Sequence, residues 1–137
     1  EARIERSIIG EGSEVYGEVI NSVIGCGVVI GKGAVVRDSI IMQGSVIGAG
    51  SKINKTIIAE NVEIGSDVET GIGEYAESNL DKKVYAFDLV TIGENSCIPS
   101  NVKIGKNVAI SGVTKTEDYP GGSLASGEYI IKAGDIR

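Results

Sequence analysis

Short apolar segments recur along the first half of the chain, each directly after a hydroxyl-bearing residue. Ser or Thr precedes two aliphatic residues four times, at spacings of 15, 17 and 17 residues, in Ser7-Ile8-Ile9, Ser22-Val23-Ile24, Ser39-Ile40-Ile41 and Thr56-Ile57-Ile58. One such unit is too short to bury its own apolar face, so the units must stack on one another. The pattern therefore predicts a repeat of about 17 residues.

A shorter unit of six residues lies inside this repeat. Isoleucine occupies its first position, i, in ten copies: Ile9, Ile24, Ile30, Ile41, Ile47, Ile58, Ile64, Ile92, Ile98 and Ile104. Position i+3 is Gly, Asn or Asp in all ten, and position i+4 is always Ser, Ala or Val. Gly and Asn tolerate positive φ, which predicts a corner at i+3, with the small i+4 residue inside it. Each isoleucine then begins a short strand and points into a common interior, so the fold class is all-β, a parallel β-solenoid.

The repeat divides the chain into regular and irregular parts. Coils are predicted over residues 9–74 and again over 92–110, which makes about five coils in one domain. Residues 75–91 interrupt the repeat and contain Tyr75, Tyr85 and Phe87. They are interpreted either as a surface loop or short helix packed on the solenoid, or as a contact to another domain or subunit. Residues 111–137 are predicted to cap the open end, where the last strands would otherwise be unpaired.

Composition narrows the possible chemistry. Isoleucine and valine number 21 and 15 while leucine numbers three, which favours strands and excludes a helical bundle. The absence of histidine excludes Ser-His and Cys-His catalysis and any histidine metal site. A net charge of −6 argues against binding nucleic acid or an anionic membrane. Cys26 and Cys97 lack C-x-x-C spacing, so we expect free thiols in a reduced, cytoplasmic protein. Because the first residue is Glu1 rather than Met, we expect a piece of a longer protein.

The six-residue unit resembles the hexapeptide repeat of left-handed parallel β-helix proteins, and this resemblance implies the handedness. Such solenoids occur in acyltransferases, in zinc carbonic anhydrases and as C-terminal domains of sugar-nucleotide pyrophosphorylases. The first two classes rely on histidines, which this chain lacks. The third performs its chemistry in a separate N-terminal domain, so the resemblance favours that class.

Longer segments are similar to the C-terminal domain of bacterial glucose-1-phosphate adenylyltransferases. These segments are V-Y-G-E-V-I-N-S-V-I-G (15–25), G-A-V-V-R-D-S-I-I-M (33–42), I-I-A-E-N-V-E-I-G (57–65) and V-T-I-G-E-N-S-C-I-P-S-N-V-K-I-G-K-N (90–107). In that family the whole enzyme makes ADP-glucose and pyrophosphate from ATP and glucose 1-phosphate for glycogen or starch synthesis, with Mg²⁺. The Gly-rich nucleotide loop and the acidic Mg²⁺ ligands of its catalytic domain have no counterpart here. We therefore expect no catalytic residue, cofactor or metal in this segment and no catalysis by it alone.

The resemblance also implies partners and a regulatory site. In the family the β-helix builds a tetramer and, with the catalytic domain, binds phosphorylated or anionic effectors. Basic residues that match family segments, or lie near the family's final turn, are the effector-binding candidates: Arg37, Lys103, Lys106 and Lys115. Each of them is alternatively a solvated surface charge. Two other functions stay open: a free-standing interaction scaffold, and the β-helix domain of another sugar-nucleotide pyrophosphorylase.

Overall fold

The chain is built from short strands joined by tight corners. The computed structural model describes residues 2–119 and 121–132. In chain order the strands are β1 (Arg3–Glu5), β2 (Ile8–Ile9), β3 (Glu14–Val15), β4 (Glu18–Ile20), β5 (Val23–Ile24), β6 (Val29–Ile30), β7 (Val35–Arg37), β8 (Ile40–Ile41), β9 (Val46–Ile47), β10 (Lys52–Asn54), β11 (Thr56–Ile58), β12 (Glu63–Ile64), β13 (Glu69–Ile72), β14 (Val90–Ile92), β15 (Cys97–Ile98), β16 (Lys103–Gly105), β17 (Ala109–Ser111), β18 (Ser123–Leu124) and β19 (Tyr129–Ile131). A 3-10 turn, Thr116–Asp118, lies between β17 and β18.

The strands form three parallel sheets, because each strand pairs with the strand one coil later. Sheet A has the order β1-β4-β7-β10-β13-β16-β18 and sheet B the order β2-β5-β8-β11-β14-β17-β19. Sheet C has the order β3-β6-β9-β12-β15. Ile24, for example, pairs with Ile9 on one side and with Ile41 on the other. The predicted all-β fold class and the parallel solenoid are confirmed.

The corners lie where the repeat predicted them, but the prediction that each isoleucine begins a strand is wrong. Ile24 and Ile30, for example, are the last residues of β5 and β6, because the strand ends as the chain approaches the corner. All ten residues at i+3 have positive φ, between 55° and 75°: Gly12, Gly27, Gly33, Gly44, Gly50, Asn61, Asp67, Asn95, Asn101 and Asn107. Further left-handed residues, Arg6, Asn21, Asp38 and Lys55, form the corner between sheets A and B in the first four coils. The six-residue unit did not reveal this corner, because its residues share no type.

The interior is a stack of isoleucines closed at its corners by small residues. Nine of the ten predicted isoleucines are at most 3% exposed, and Ile9, in the first coil, is half-buried. Buried hydroxyls join successive coils: the Ser39 N–H donates to Ser22 Oγ at 3.1 Å, and the Thr56 N–H donates to Ser39 Oγ at 3.0 Å. These bonds satisfy backbone donors that the corner would otherwise bury unpaired. The recurring Ser/Thr before each apolar pair is thus a structural element of the stack.

The solenoid is longer than the five predicted coils, with seven strands in sheet A and seven in sheet B. It begins at β1, where the hexapeptide signature is absent, and β18 and β19 continue both sheets into the predicted cap, residues 111–137. Pro120 and residues 133–137 of that cap lie outside the described residues. The insertion is shorter than predicted: β14 begins at Val90, which is buried and pairs with Thr56, and the segment before it forms turns and bends.

Candidate functional site

The outward positions of sheet A carry most of the candidate chemistry. Strand alternation turns Val36, Ile53 and Ile104 into the core and their neighbours outward. One outward row runs along the whole sheet: Arg3, Glu18, Val35, Lys52, Glu69, Lys103 and Ser123. Residues in register are one strand spacing apart, about 4.8 Å, so charges of opposite sign alternate along part of this face.

Lys103 is held by an acidic neighbour in this row. Its Nζ donates to Glu69 Oε2 at 3.0 Å and lies 3.5 Å from the Asp67 carbonyl oxygen. Both side chains are more than a third exposed, so the ion pair contributes little to stability, about 0–1 kcal/mol. The ion pair instead fixes the position of the Lys103 ammonium group, at the edge of a groove.

That groove lies on sheet A beside the insertion. It is lined by residues of β13, β16 and β18 and by the start of the insertion, including Ile72, Tyr75, Lys103, Leu124 and Ser126. The groove combines the Lys103 ammonium group, which is paired with Glu69, with the acidic residue Glu74. An anionic ligand would therefore have to compete with Glu69 for this ammonium group.

Lys106 lies just beyond the other end of the same strand. Its backbone is fixed from two sides: its N–H donates to Ser126 Oγ at 2.9 Å, and its carbonyl accepts from the Gly127 N–H at 2.8 Å. Within the described residues its amine makes no ion pair or side-chain hydrogen bond. Lys103 and Lys106 therefore flank one strand, as their spacing predicted, with one charge compensated and one free of an acidic neighbour.

The other two candidates lie elsewhere. Arg37 is exposed on β7, three strands from β16 in sheet A, about 14 Å away. Lys115 is exposed beside the 3-10 turn, next to Thr114, whose carbonyl accepts from the Cys97 N–H on the sheet C side. Its own backbone N–H donates to Asp118 Oδ2 at 2.7 Å. The four candidates therefore do not converge on one site.

Two lysines that sequence reasoning did not single out accompany Arg37. Lys52 and Asn54 line a shallow groove with Arg37 and Val35, and Lys55 follows at the corner. The 17-residue spacing between coils was the available signal, because it places residue 54 beside residue 37 and residue 52 beside residue 35.

The insertion is anchored by one buried side chain, which was also not singled out for this role. Asn107 is 1% exposed; its Oδ1 accepts from the Asp88 N–H and its Nδ2 donates to the Ala76 carbonyl, each at 2.9 Å. The Asn79 N–H donates to the Gly127 carbonyl at 2.8 Å, and a β-carbon at Gly127 would collide with the Glu77 carbonyl oxygen. Between these anchors Val84 and Phe87 are exposed, and so is Tyr75, directly before the first of them. The predicted surface segment thus packs against the last coils.

The remaining reactive groups form no centre. Cys26 is exposed and Cys97 half-buried, both free, and burial raises the pKa of the Cys97 thiol. The described residues contain no group of three or more acidic or cysteine side chains that could hold a metal ion. No helix in the described ranges has the length and apolar character to cross a bilayer. Asp38 and Asp67 are exposed corner residues, and Glu60 is half-buried.

Comparison with known proteins gives the chain its relatives. A protein from Lachnospira eligens named glucose-1-phosphate adenylyltransferase is 61% identical over 135 residues, which is 98% of this chain and 32% of the relative. Proteins of the same name from Thermotoga neapolitana and Acetivibrio thermocellus are 53% and 38% identical, each over 96% of this chain and 31% of the relative. The chain therefore spans about a third of the length of these curated relatives.

Among solved structures, the polySia-specific acetyltransferase NeuO covers 96% of this chain and 74% of its own at 17% identity and a TM-score of 0.30, too low to carry an argument.

Stacked parallel strands with an isoleucine-led unit of six define a hexapeptide-repeat solenoid. The family model described as GlmU-like, C-terminal hexapeptide matches residues 1–92, and the chain belongs to that family.

Proposed function

We propose that this chain is the C-terminal assembly and regulatory domain of a glucose-1-phosphate adenylyltransferase that acts in the cytoplasm. The observation that carries the proposal is the alignment with the protein from Lachnospira eligens, which is 61% identical. The alignment covers 98% of this chain but only 32% of that relative. The whole enzyme would form ADP-glucose and pyrophosphate from ATP and glucose 1-phosphate. Its nucleotide, sugar and Mg²⁺ sites would lie in the part that this chain does not include.

The regulatory part of the proposal is supported by the two lysines that flank β16. The Lys106 amine makes no ion pair among the described residues, and Lys103, which is paired with Glu69, borders the groove beside the insertion. Two such cations favour a phosphorylated or otherwise anionic effector. Arg37, with Lys52, and Lys115 are separate candidates on other parts of the surface. Assembly into a homotetramer belongs to the same proposal.

A free-standing interaction scaffold is the second candidate function, in which the exposed aromatic residues of the insertion would contact a separate partner protein rather than a neighbouring domain. Tyr75 and Phe87 are 64% and 84% exposed, as expected for a surface that contacts a partner. In this case the chain would act without a catalytic domain. A third candidate is the β-helix domain of a pyrophosphorylase that uses another sugar phosphate. The sugar would be selected in the catalytic domain, which this chain does not include.

The experiment compares the full-length protein with this chain alone. Both are supplied with ATP, glucose 1-phosphate and Mg²⁺, and ADP-glucose and pyrophosphate are quantified. We expect product from the full-length protein and none from the chain. A full-length protein that uses another sugar phosphate, or that is inactive, would contradict the assignment, as would turnover by the chain itself.

The effector site is tested on the full-length enzyme with Lys106→Ala, and Lys82→Ala, an exposed lysine of the insertion, serves as the matched control. The probes are inorganic phosphate and a hexose bisphosphate. Loss of a charge-assisted contact costs about 1.5–3 kcal/mol, so the concentration giving half the effect should rise roughly tenfold or more. Equal responses from the two variants would reject Lys106 as an effector ligand.

A further inference from the structure

Two cations at the centre of sheet A have no acidic partner. Arg37 on β7 and Lys52 on β10 are both exposed, and neither makes an ion pair within the described ranges. The chain carries 19 acidic and 13 basic residues, so carboxylates that could pair with them are abundant. Two neighbouring cations left without such a partner repel one another unless an anion lies between them.

The acidic residues around these two cations are engaged by other groups. The three glutamates on the strands of sheet A each pair with another cation: Glu5 and Glu18 with Arg3, and Glu69 with Lys103. Asp38, which follows Arg37 at the corner, accepts a hydrogen bond at Oδ1 from Asn21 Nδ2 at 2.7 Å. The sheet therefore pairs its charges on either side of β7 and β10 and leaves a basic region at its centre.

The register of β7 and β10 brings the two cations and an amide around one groove. Val35 lies beside Lys52, and Arg37 beside Asn54, so the two cations occupy one diagonal of a square of outward residues. Diagonal positions are about 7–8 Å apart, within reach of long side chains. The groove that these four residues line with Ile53 has a volume of about 390 Å³, enough for a small ligand. Within the described residues Asn54 makes its hydrogen bonds through the backbone, so its side-chain amide is available.

The chemistry of this set fits a phosphoryl group better than a carboxylate. A guanidinium group donates two parallel hydrogen bonds, which the two oxygens of a carboxylate would already satisfy, so Arg37 alone would serve that ligand. A phosphoryl group has a third terminal oxygen for the Lys52 ammonium group, and its charge of about −1.5 to −2 at pH 7 matches two cations. The Asn54 amide adds a neutral donor to the same groove.

We propose that Arg37, Lys52 and Asn54 form a binding site for a phosphoryl group, supplied either by inorganic phosphate or by a small phosphate ester. Val35, at the fourth position of the square, offers an aliphatic contact to the carbon skeleton of an ester. The site is separate from the lysines that flank β16, because β7 and β16 are three strands apart, about 14 Å. This inference does not rest on the proposed function, because its test reads binding rather than turnover.

The test follows the reactivity of single arginines in the full-length protein, so that phosphate bound elsewhere does not confuse the result. Phenylglyoxal modifies accessible guanidinium groups, and mass spectrometry of peptides reports Arg37 and the exposed Arg6 separately. Inorganic phosphate is added while chloride keeps the ionic strength constant. At saturating phosphate we expect the modification rate of Arg37 to fall at least about fivefold and that of Arg6 to stay unchanged. Equal protection of both arginines, or no protection of Arg37, would overturn the proposal.

Variants test the other two members of the site by the same readout. Asn54→Asp keeps the size of the side chain but adds a negative charge, and Lys52→Gln removes one cation. Lys82→Gln, at an exposed lysine of the insertion, is the matched control. We expect the phosphate concentration that half-protects Arg37 to rise roughly tenfold or more in the first two variants and to stay the same in the control, with unchanged circular dichroism in all three. The same half-protecting concentration in all three variants would reject the site.

Two further probes define the ligand. Acetate should protect Arg37 only at concentrations about tenfold higher than phosphate, and equal protection by acetate would overturn the assignment to a phosphoryl group. Glucose 6-phosphate distinguishes the two sources: protection at a concentration about tenfold lower than that of inorganic phosphate indicates an ester as the ligand, and protection at the same or a higher concentration indicates phosphate itself. A full-length protein that makes no ADP-glucose would reject the proposed function and leave this site standing.

Discussion

The coils from Glu18 to Ile64 and those from Glu69 to Ile131 close the same kind of interior with different groups. In the first region, isoleucines and valines stack in register and serine or threonine hydroxyls repeat at fixed corners. In the second, the insertion interrupts the stack, sheet C ends at β15, and Asn107, Thr114 and Tyr119 supply buried polar contacts. The regular coils depend on repeated contacts, whereas the last coils depend on single residues.

This difference has a physical origin. A regular coil packs against nearly identical coils on both sides. Its inward side chains therefore need only be β-branched in the strands and small at the corners. Where the third sheet stops, the space it would fill is closed by Tyr119, which is 6% exposed and within 2.9 Å of Thr114 Oγ1 through its hydroxyl. The second region therefore contains a buried ionisable side chain, Tyr119.

The largest expected effect breaks the regular stack. Ile47 is fully buried between Ile30 and Ile64, so Ile47→Asp places an unpaired carboxylate in the interior and should cost at least about 4 kcal/mol. Val46→Asp, one residue away and outward-facing, should cost less than about 1 kcal/mol. Urea-induced unfolding followed by circular dichroism measures both. Similar midpoints for the two variants would contradict the inward assignment of position i.

The second effect distinguishes the last coils by pH. Burial raises the pKa of Tyr119 from its ordinary 10.0 to about 12. The unfolded chain therefore loses this proton first, and the stability held below pH 10 falls by about 2–3 kcal/mol as pH rises to 12. Tyr119→Phe should remove that fall, and Tyr129→Phe, on an exposed tyrosine, should keep it. Identical pH profiles for both variants would show that Tyr119 is not buried as described.

A third prediction concerns the attachment of the insertion. Asn107 and Asn101 both occupy left-handed corners, with φ of 57° and 68°, but the Asn107 side chain also holds Ala76 and Asp88. We expect Asn107→Ala to lower the free energy of unfolding by roughly 1–2 kcal/mol more than Asn101→Ala does. Tryptic cleavage in the insertion, after Lys82 or Lys83, should then be about tenfold faster. Equal cleavage of the two variants would mean that Asn107 does not anchor the segment.

The smallest effect is expected on the surface of sheet A. Lys103→Ala removes an exposed ion pair with Glu69 and should change the free energy of unfolding by less than about 1 kcal/mol. The urea midpoint should therefore stay close to that of the unchanged chain. A loss as large as that of Asn107→Ala would show that this pair is structural and would weaken Lys103 as a ligand candidate.

Much of the fold follows from the sequence, because each position of the six-residue unit has to meet one physical requirement. The demand for positive φ selects Gly, Asn or Asp at i+3, and the demand for a filled interior selects Ile at i. β1 and β18 escaped prediction because they pair with the stack without that signature. Arg3–Glu5 forms a strand because it pairs in register with Glu18–Ile20, and no local sequence pattern predicts this pairing.

The candidate site was less predictable than the fold, because the coil spacing and the partners of each side chain decide which basic residues lie close together. The placement of Lys103 and Lys106 around one strand could be predicted from their three-residue spacing. The pairing of Lys103 with Glu69 crosses the insertion, 34 residues in sequence, and could not be read from a 17-residue repeat that the insertion interrupts.

The proposed function makes this chain part of a longer nucleotidyltransferase. The most direct test is the size of the native polypeptide in extract of the source cells, detected by an antibody against this chain. The chain weighs 14.2 kDa and spans 32% of its relative from Lachnospira eligens, so we predict a band at about three times that mass. A band at the mass of the chain itself would contradict the claim and leave the solenoid as a free-standing scaffold.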